Sequence, residues 1–328
     1  MNKSKIPVIY IHFGNTDYLK HSLDFALQNN PDKDIYLLGD SLNEFYKKHG
    51  INHQFFSKYD DYEEIVLFNN IFKYIRGGVI YSDFKGEMVR IREFERFCFV
   101  RWFYLYYFMA ENHIEKCWYF DSDTLILTSL TNQEPKYMDY DFTEQCNGSC
   151  MKGLISINNL KDYINEINRL FLDDKYLNWI KNELTGHPGW VFCDMRAYDA
   201  YKQKFRPNSK TLYSVVNNEV FDDALLQERN SEMEFNRLLK VRMKKLFYIN
   251  KNIYIKNTLT EELVKLNCIN LSWLPTFYVE NLVHKLKHGK DITVIKKIIP
   301  ITIYLIKKEL RNLINRTRDL SNKFVKIQ

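Results

Sequence analysis

Trp118-Tyr119-Phe120-Asp121-Ser122-Asp123-Thr124-Leu125-Ile126-Leu127 sets two carboxylates one residue apart between apolar, β-prone flanks. A strand that leaves its sheet at Asp121 places both acids at its carboxyl end, the edge where open α/β sheets bind ligands. Acids this close repel each other unless a positive group lies between them, and hard oxygen donors suit Mg²⁺ or Mn²⁺. Read alone, an Asp-x-Asp is more often a polar turn closing a strand. The rest of the chain decides between the two.

Upstream, Val8-Ile9-Tyr10-Ile11-His12-Phe13 reads as a buried strand and Gly14-Asn15 as the turn leaving it. A helix from about Asp17 to Gln28 and a second strand, Ile35–Leu38 ending at Gly39-Asp40, complete a βαβ opening. That unit predicts parallel pairing and puts the loops after Phe13 and Leu38 on the same edge as Asp121. Asp40 reads either as an acid facing a ribose or base, or as a turn and cap acid for Ser41-Leu42-Asn43. His53–Phe56 suggests a third strand, Tyr62–Tyr74 a helix, and Arg76-Gly77-Gly78 its stop. Arg92–Ala110 is hydrophobic nearly all round and should be a buried helix. Arg96 and Arg101 inside it need anionic partners. Those are either Glu93 and Glu95, in structural ion pairs, or a diphosphate matched by the planar guanidinium fork.

Downstream, Ser149–Ile157 reads as a strand in which Gly153 permits close approach of a ligand. A helix over about Leu160–Leu172 follows. Thr185-Gly186-His187-Pro188-Gly189-Trp190-Val191-Phe192-Cys193-Asp194-Met195 is a shaped loop with Asp194 where a helix can start, as cap or as reactive acid. Asp222-Asp223 reads as a second helix cap.

The 328 residues, 45% hydrophobic and 27% charged, allow one large α/β domain with or without a small appendage. Only 11 Gly and 7 Pro argue against disorder, collagen-like repeats and a Gly-rich phosphate loop. The cysteines are scattered, which fits a reducing compartment. Cys146 and Cys150 form half a zinc spacing that no second close pair completes. No signal core follows Met1–Pro7, so secretion is not expected, and no apolar run reaches membrane-spanning length. The division expected is a catalytic domain over 1–280 and a basic tail over 281–328. The tail carries 12 Lys and Arg against 3 acids, a net +9, interleaved with apolar residues and broken at Pro300. A basic amphipathic helix reads as an anchor on anionic membrane, or as a terminal helix with a solvated basic face. The first reading predicts a cytoplasmic protein peripheral on the inner membrane face.

Four stretches then resemble bacterial-type glycosyltransferases of the GT-A fold, the nucleotide-diphospho-sugar transferases of capsule and surface polysaccharide assembly. They are Ile6–Leu19 with Gly39-Asp40, Glu93–Trp102, Trp118–Leu127 with its Asp-Ser-Asp, and Gly186–Met195. Together they span most of residues 6–225 in the expected order. The resemblance implies a mixed, mostly parallel central sheet flanked by helices. It implies transfer of a hexosyl or N-acetylhexosaminyl group from a nucleotide-diphosphate sugar, UDP-sugar first, to a glycan or glycolipid. It assigns Mn²⁺ or Mg²⁺ to Asp121 and Asp123, with Asp121 also toward the ribose. Arg101 and Arg96 fall at the diphosphate, His12, Gly14 and Asp40 at the nucleoside, and Lys152 and Gly153 at the donor sugar. His187, Gly189 and Trp190 fall on the acceptor side, with Asp194 as proton acceptor. His12 is equally a satisfied strand histidine.

One departure stands out: Cys268-Ile269-Asn270-Leu271-Ser272-Trp273 offers no His where such enzymes often add a metal ligand. Two rival functions fit less well. A haloacid-dehalogenase-type phosphatase wants Thr or Val where Leu125 stands. A nucleic-acid binder using the tail is opposed by the body's net −3 and the tail's apolar stripes, so no nucleic acid partner is expected.

Overall fold

In the computed structural model, which describes residues 6–237 and 239–288, β1 (Val8–Ile11) is buried at every position. Successive strand residues face opposite sides. Ile9 and Ile11 therefore enter one hydrophobic core, and Val8 and Tyr10 a second one. Helix α1 (Asp17–Asn29) leads to β2 (Ile35–Gly39), parallel to β1, and β3 (Asn52–Phe55) adds parallel to β2. After α2 (Glu63–Ile71) comes a hairpin, β4 (Tyr74–Arg76) and β5 (Val79–Tyr81), and then the long helix α3 (Glu87–Glu111). β6 (Lys116–Tyr119) lies parallel to β1 on the side away from β2. β7 (Thr124–Ile126), α4 (Leu130–Gln133), β8 (Phe142–Gln145) and β9 (Cys150–Ser156) follow. Three helices, α5 (Ile157–Leu172), α6 (Asp174–Leu184) and α7 (Asp194–Phe205), precede β10 (Ser209–Thr211) and β11 (Glu219–Phe221).

The central sheet has the order β10-β8-β9-β6-β1-β2-β3. β9 runs antiparallel to both its neighbours, and the other pairings are parallel. This is the mixed, mostly parallel sheet flanked by helices that the sequence leads one to expect. Because β1, β2 and β6 run together, the segments after Ile11, Gly39 and Tyr119 leave the same edge.

Among the described residues a second unit comprises 224–263 and 271–288. It contains the hairpins β12 (Met233–Asn236) with β13 (Val241–Lys244) and β14 (Phe247–Ile249) with β15 (Asn252–Lys256), and helix α8 (Thr276–His288). Residues 264–270 of β16 (Leu263–Asn270) belong to the first unit, where the strand is flanked by β11 and β7. The boundary expected at 280/281 falls within α8, and the basic tail beyond His288 lies outside the described residues. Among the described residues no helix is long and apolar enough to cross a membrane.

Three local expectations change. The helix expected over 62–74 is α2, which stops at Ile71, and Arg76-Gly77-Gly78 forms the tight turn of the β4–β5 hairpin. Both glycines have positive φ, 55° and 82°. A Cβ on Gly78 would also lie 2.4 Å from Thr185 Oγ1, so the turn requires glycine twice over. Helix α6 was not expected; its signal is Leu177, Ile180 and Leu184 at helical spacing, with Asp173 capping the Tyr176 amide at 3.0 Å. Asp222-Asp223 caps no helix. The Asp222 carbonyl accepts from Gln145 Nε2, and the Asp223 carboxylate accepts from the Cys146 amide.

The aromatic richness goes into the core beneath α2, α3 and α5. Phe99 lies 5.2 Å from Phe171, 5.5 Å from Phe192 and 6.0 Å from Phe68, ring centre to ring centre. With Phe99 fully buried, its ring both fills volume and makes edge contacts. Phe99→Ala should therefore cost about 3–5 kcal/mol in urea unfolding. A loss below about 1 kcal/mol would show that this aromatic layer does not hold α3 to the sheet.

Candidate active site

The site begins where β6 runs out. Asp121 C=O accepts from the Thr124 amide at 3.0 Å, closing a tight turn through Ser122 and Asp123. Buried His12, just past β1, places Nδ1 2.7 Å from Ser122 Oγ. Burial outweighs the nearby Asp40 and pushes the His12 imidazole down to about 4, so it is neutral and acts by hydrogen bonding. His12 thus fastens the β1 edge to the acidic turn.

Asp40 serves the loops themselves: one oxygen accepts from the Gly14 amide at 2.6 Å and the other from the Leu42 amide at 2.8 Å. Asn43, which the sequence reading missed as a functional residue, is the hub beside it. It donates to the carbonyls of His12 and Gly14, at 3.1 and 2.8 Å, and accepts from the Asp40 amide at 3.1 Å. Its Oδ1 also lies 2.7 Å from His53 Nε2. A Cβ on Gly39 would stand 1.9 Å from that same oxygen. Gly39 is therefore the residue that admits the hub.

The centre of the site is a chain of charges. Arg101, from the middle of α3, donates through one guanidinium nitrogen to Asp121 Oδ1 and through the other to Asp194 Oδ2, both at 2.8 Å. The Tyr119↔Gly153 register of β6 with β9 puts Lys152 across from Phe120, and its ammonium reaches Asp121 Oδ2 at 2.6 Å. Trp102 Nε1 also donates to Asp194 Oδ2 at 3.0 Å, and Tyr163 Oη donates to the Asp194 carbonyl at 2.8 Å. Burial opposes charge on Asp121, yet Lys152 and then Arg101 outweigh it and hold the carboxyl well below the usual carboxylate range. The cations move the other way. Burial works against Lys152 and Arg101, but Asp121 first at Lys152, and Tyr119, Asp121 and Asp194 at Arg101, raise both. Buried charges persist because each is paired.

The expected site residues have these neighbours in the structure. Arg101 faces two carboxylates of its own chain rather than an open diphosphate site. Arg96 follows the structural reading, with Nε on Glu93 at 2.9 Å and NH1 on Asn69 Oδ1 at 2.7 Å. Lys152, expected beside the donor sugar, is engaged by Asp121. The missing side chain of Gly153 makes room for protein, since a Cβ there would meet Thr143 Oγ1 at 2.4 Å and Leu212 Cδ1 at 2.5 Å. Asp194 does start a helix, at α7, but its Oδ2 is held by Arg101 and Trp102. His187 stacks on Trp190 at 4.0 Å, and Arg196 covers the Trp190 ring at 5.2 Å. Trp190 is half exposed. Nothing packs within 4 Å of where a Gly189 Cβ would stand, so that glycine is not demanded by crowding.

The residues present fit a cation that takes few protein ligands. Among the described residues no three His, Cys, Asp or Glu side chains converge on one point. Mg²⁺ needs only one or two carboxylates when phosphates and water complete its shell. Asp123, half-buried on the turn and within the field of Lys152 and Tyr18, meets that need. Asp121 is already neutralised. β16 sets Asn270 opposite Thr124, so no histidine stands there.

Arg101→Met should destabilise the fold by about 3–5 kcal/mol, because Asp194 would be left buried without its cation. Adding Asp194→Asn should recover a large part of that loss in a double-mutant cycle. Additive losses would show that the two side chains are not coupled.

No family model matches this chain, and no curated protein does. Among solved structures, mouse xyloside xylosyltransferase 1 in its apo form aligns over 66% of this chain and 87% of its own, at 9% identity and TM-score 0.43. The glycosyltransferase GlyE of Streptococcus pneumoniae TIGR4 aligns over 65% of this chain and 45% of its own, at 16% identity and TM-score 0.34.

Proposed function

We propose that the chain is a metal-dependent glycosyltransferase that moves a hexosyl or N-acetylhexosaminyl group from a UDP-sugar to a glycan or glycolipid in surface polysaccharide synthesis. The observation that carries this reading is the Asp121–Arg101–Asp194 bridge at the ligand-binding edge, next to the Asp123 turn. It joins a donor-side acid to an acid of the acceptor-side loop through one rigid cation.

In this reading the segments around His12, Gly14 and Asp40 line the nucleoside. Asp123 holds Mn²⁺ or Mg²⁺, which when bound neutralises charge on the departing diphosphate. Lys152 and Arg101 neutralise Asp121 and so keep it from repelling that diphosphate. The stacked His187–Trp190 pair gives the acceptor an exposed aromatic face. The burial of Arg101 strengthens its pairing with Asp121 and Asp194.

Panels of UDP-sugars with Mn²⁺ test the reading directly. Wild type should bind and slowly hydrolyse at least one of them, and Asp123→Ala should lower turnover by about a hundredfold or more. Normal turnover in Asp123→Ala, or no nucleotide-sugar binding by wild type, would sink it.

The tail is proposed to hold the enzyme on the cytoplasmic face of an anionic membrane, on the strength of its net +9 and its apolar stripes. Removing residues after about 290 should release the protein from phosphatidylserine-containing vesicles while leaving donor hydrolysis intact. Vesicle binding that survives the truncation would retire the anchor.

A further inference from the structure

Helix α3 carries a third carboxylate toward the site. Glu95, Cys98 and Arg101–Trp102 recur at helical spacing, so Glu95 shares the face that meets Asp194, about two turns earlier. It is half-buried, and among the described residues it makes no hydrogen bond or ion pair.

Its surroundings belong to the acceptor side. Arg76 Nε donates to the Pro188 carbonyl at 3.0 Å, the Gly77 amide to the Trp190 carbonyl at 2.9 Å, and the Phe192 amide to the Ile75 carbonyl at 2.9 Å. These bonds stitch the 188–192 loop onto the β4–β5 hairpin. The groups within electrostatic reach of Glu95 are Asp194 of α7, Arg76 and Tyr74 of β4, Cys98 of its own helix, and Cys193 beside Asp194.

We propose that Glu95, rather than Asp194, is the proton acceptor for the incoming hydroxyl. The assignment rests on the glycosyltransferase reading. Protonating Asp194 would strip the charge that Arg101 and Trp102 are built to hold, whereas Glu95 has no such partner to abandon. As the hydroxyl O–H bond breaks, its proton passes to the Glu95 carboxylate. The freed oxygen lone pair forms the new bond to the sugar carbon. The bond from that carbon to the diphosphate oxygen breaks, and its electrons leave on the nucleoside diphosphate. Burial, with Asp194 adding to it against Arg76, lifts the Glu95 carboxyl to about 7. A base with that affinity is half-ionised near neutrality, the range in which general bases work best.

The test follows UDP release from UDP-glucose, UDP-galactose and UDP-N-acetylglucosamine with Mn²⁺, water serving as acceptor, between pH 5 and 9. Wild-type hydrolysis should rise with pH to a plateau, with a midpoint near 7. Glu95→Gln should bind UDP within about twofold of wild type, hydrolyse the donor about a hundredfold or more slowly, and lose the pH limb. Asp194→Asn should slow the reaction but keep the limb. Glu95→Gln with the wild-type rate and limb, or a limb that disappears in Asp194→Asn instead, would overturn the assignment while leaving the transferase reading standing. A wild type that binds no UDP or UDP-sugar would overturn that reading, and the assignment with it.

Discussion

A single guanidinium fork, Arg101 between Asp121 and Asp194, is the constraint on which the rest of the site depends. It lies on a buried helix and its partners come from a strand end and a helix start, far apart in sequence. Taking three charges out of water is costly, and the arrangement is tolerable only because Lys152 and Trp102 complete it. Once these groups are in place, neither α3 nor α7 can shift against the end of β6 without leaving a buried ion unpaired.

The other edge loops are held by hydrogen bonds to His12, Asn43 and the Asp40 carboxylate. His12, uncharged in its buried position, reaches Ser122, and Asn43 gathers the carbonyls of His12 and Gly14. The result is an edge with two characters. One half, facing α3 and α7, is a set of ion pairs, and the other, at the ends of β1 and β2, is a set of hydrogen bonds to backbone amides and carbonyls.

The strand ends and helix start were legible because they are local. The βαβ opening follows from apolar runs and turn residues, and Asp194 stands at a helix start as its loop suggests. Partner choice was not legible. Glu93 and Glu95 are the nearest acids to Arg101 in sequence, yet its partners are residues 121 and 194, which only the folded sheet brings close. Arg96, whose partner is three residues away, followed the local expectation. Gly77-Gly78 was ambiguous for a different reason: a glycine pair after a helical pattern satisfies both a helix stop and a hairpin turn. Gly153 looked like a place for a ligand, but Thr143 and Leu212 fill the space beside it.

The reversed strand β9 has a consequence for folding fidelity. Tyr119 pairs with Gly153, so Lys152 arrives opposite Phe120 and meets Asp121. A slip of one residue would bring Met151 or Gly153 to that place and strand a buried acid, besides turning the strand's side chains to the wrong faces. The chemistry of the site therefore proofreads the sheet. Only the native alignment is electrically neutral there, and an insertion or deletion near Ser149 would be felt first as an unbalanced charge.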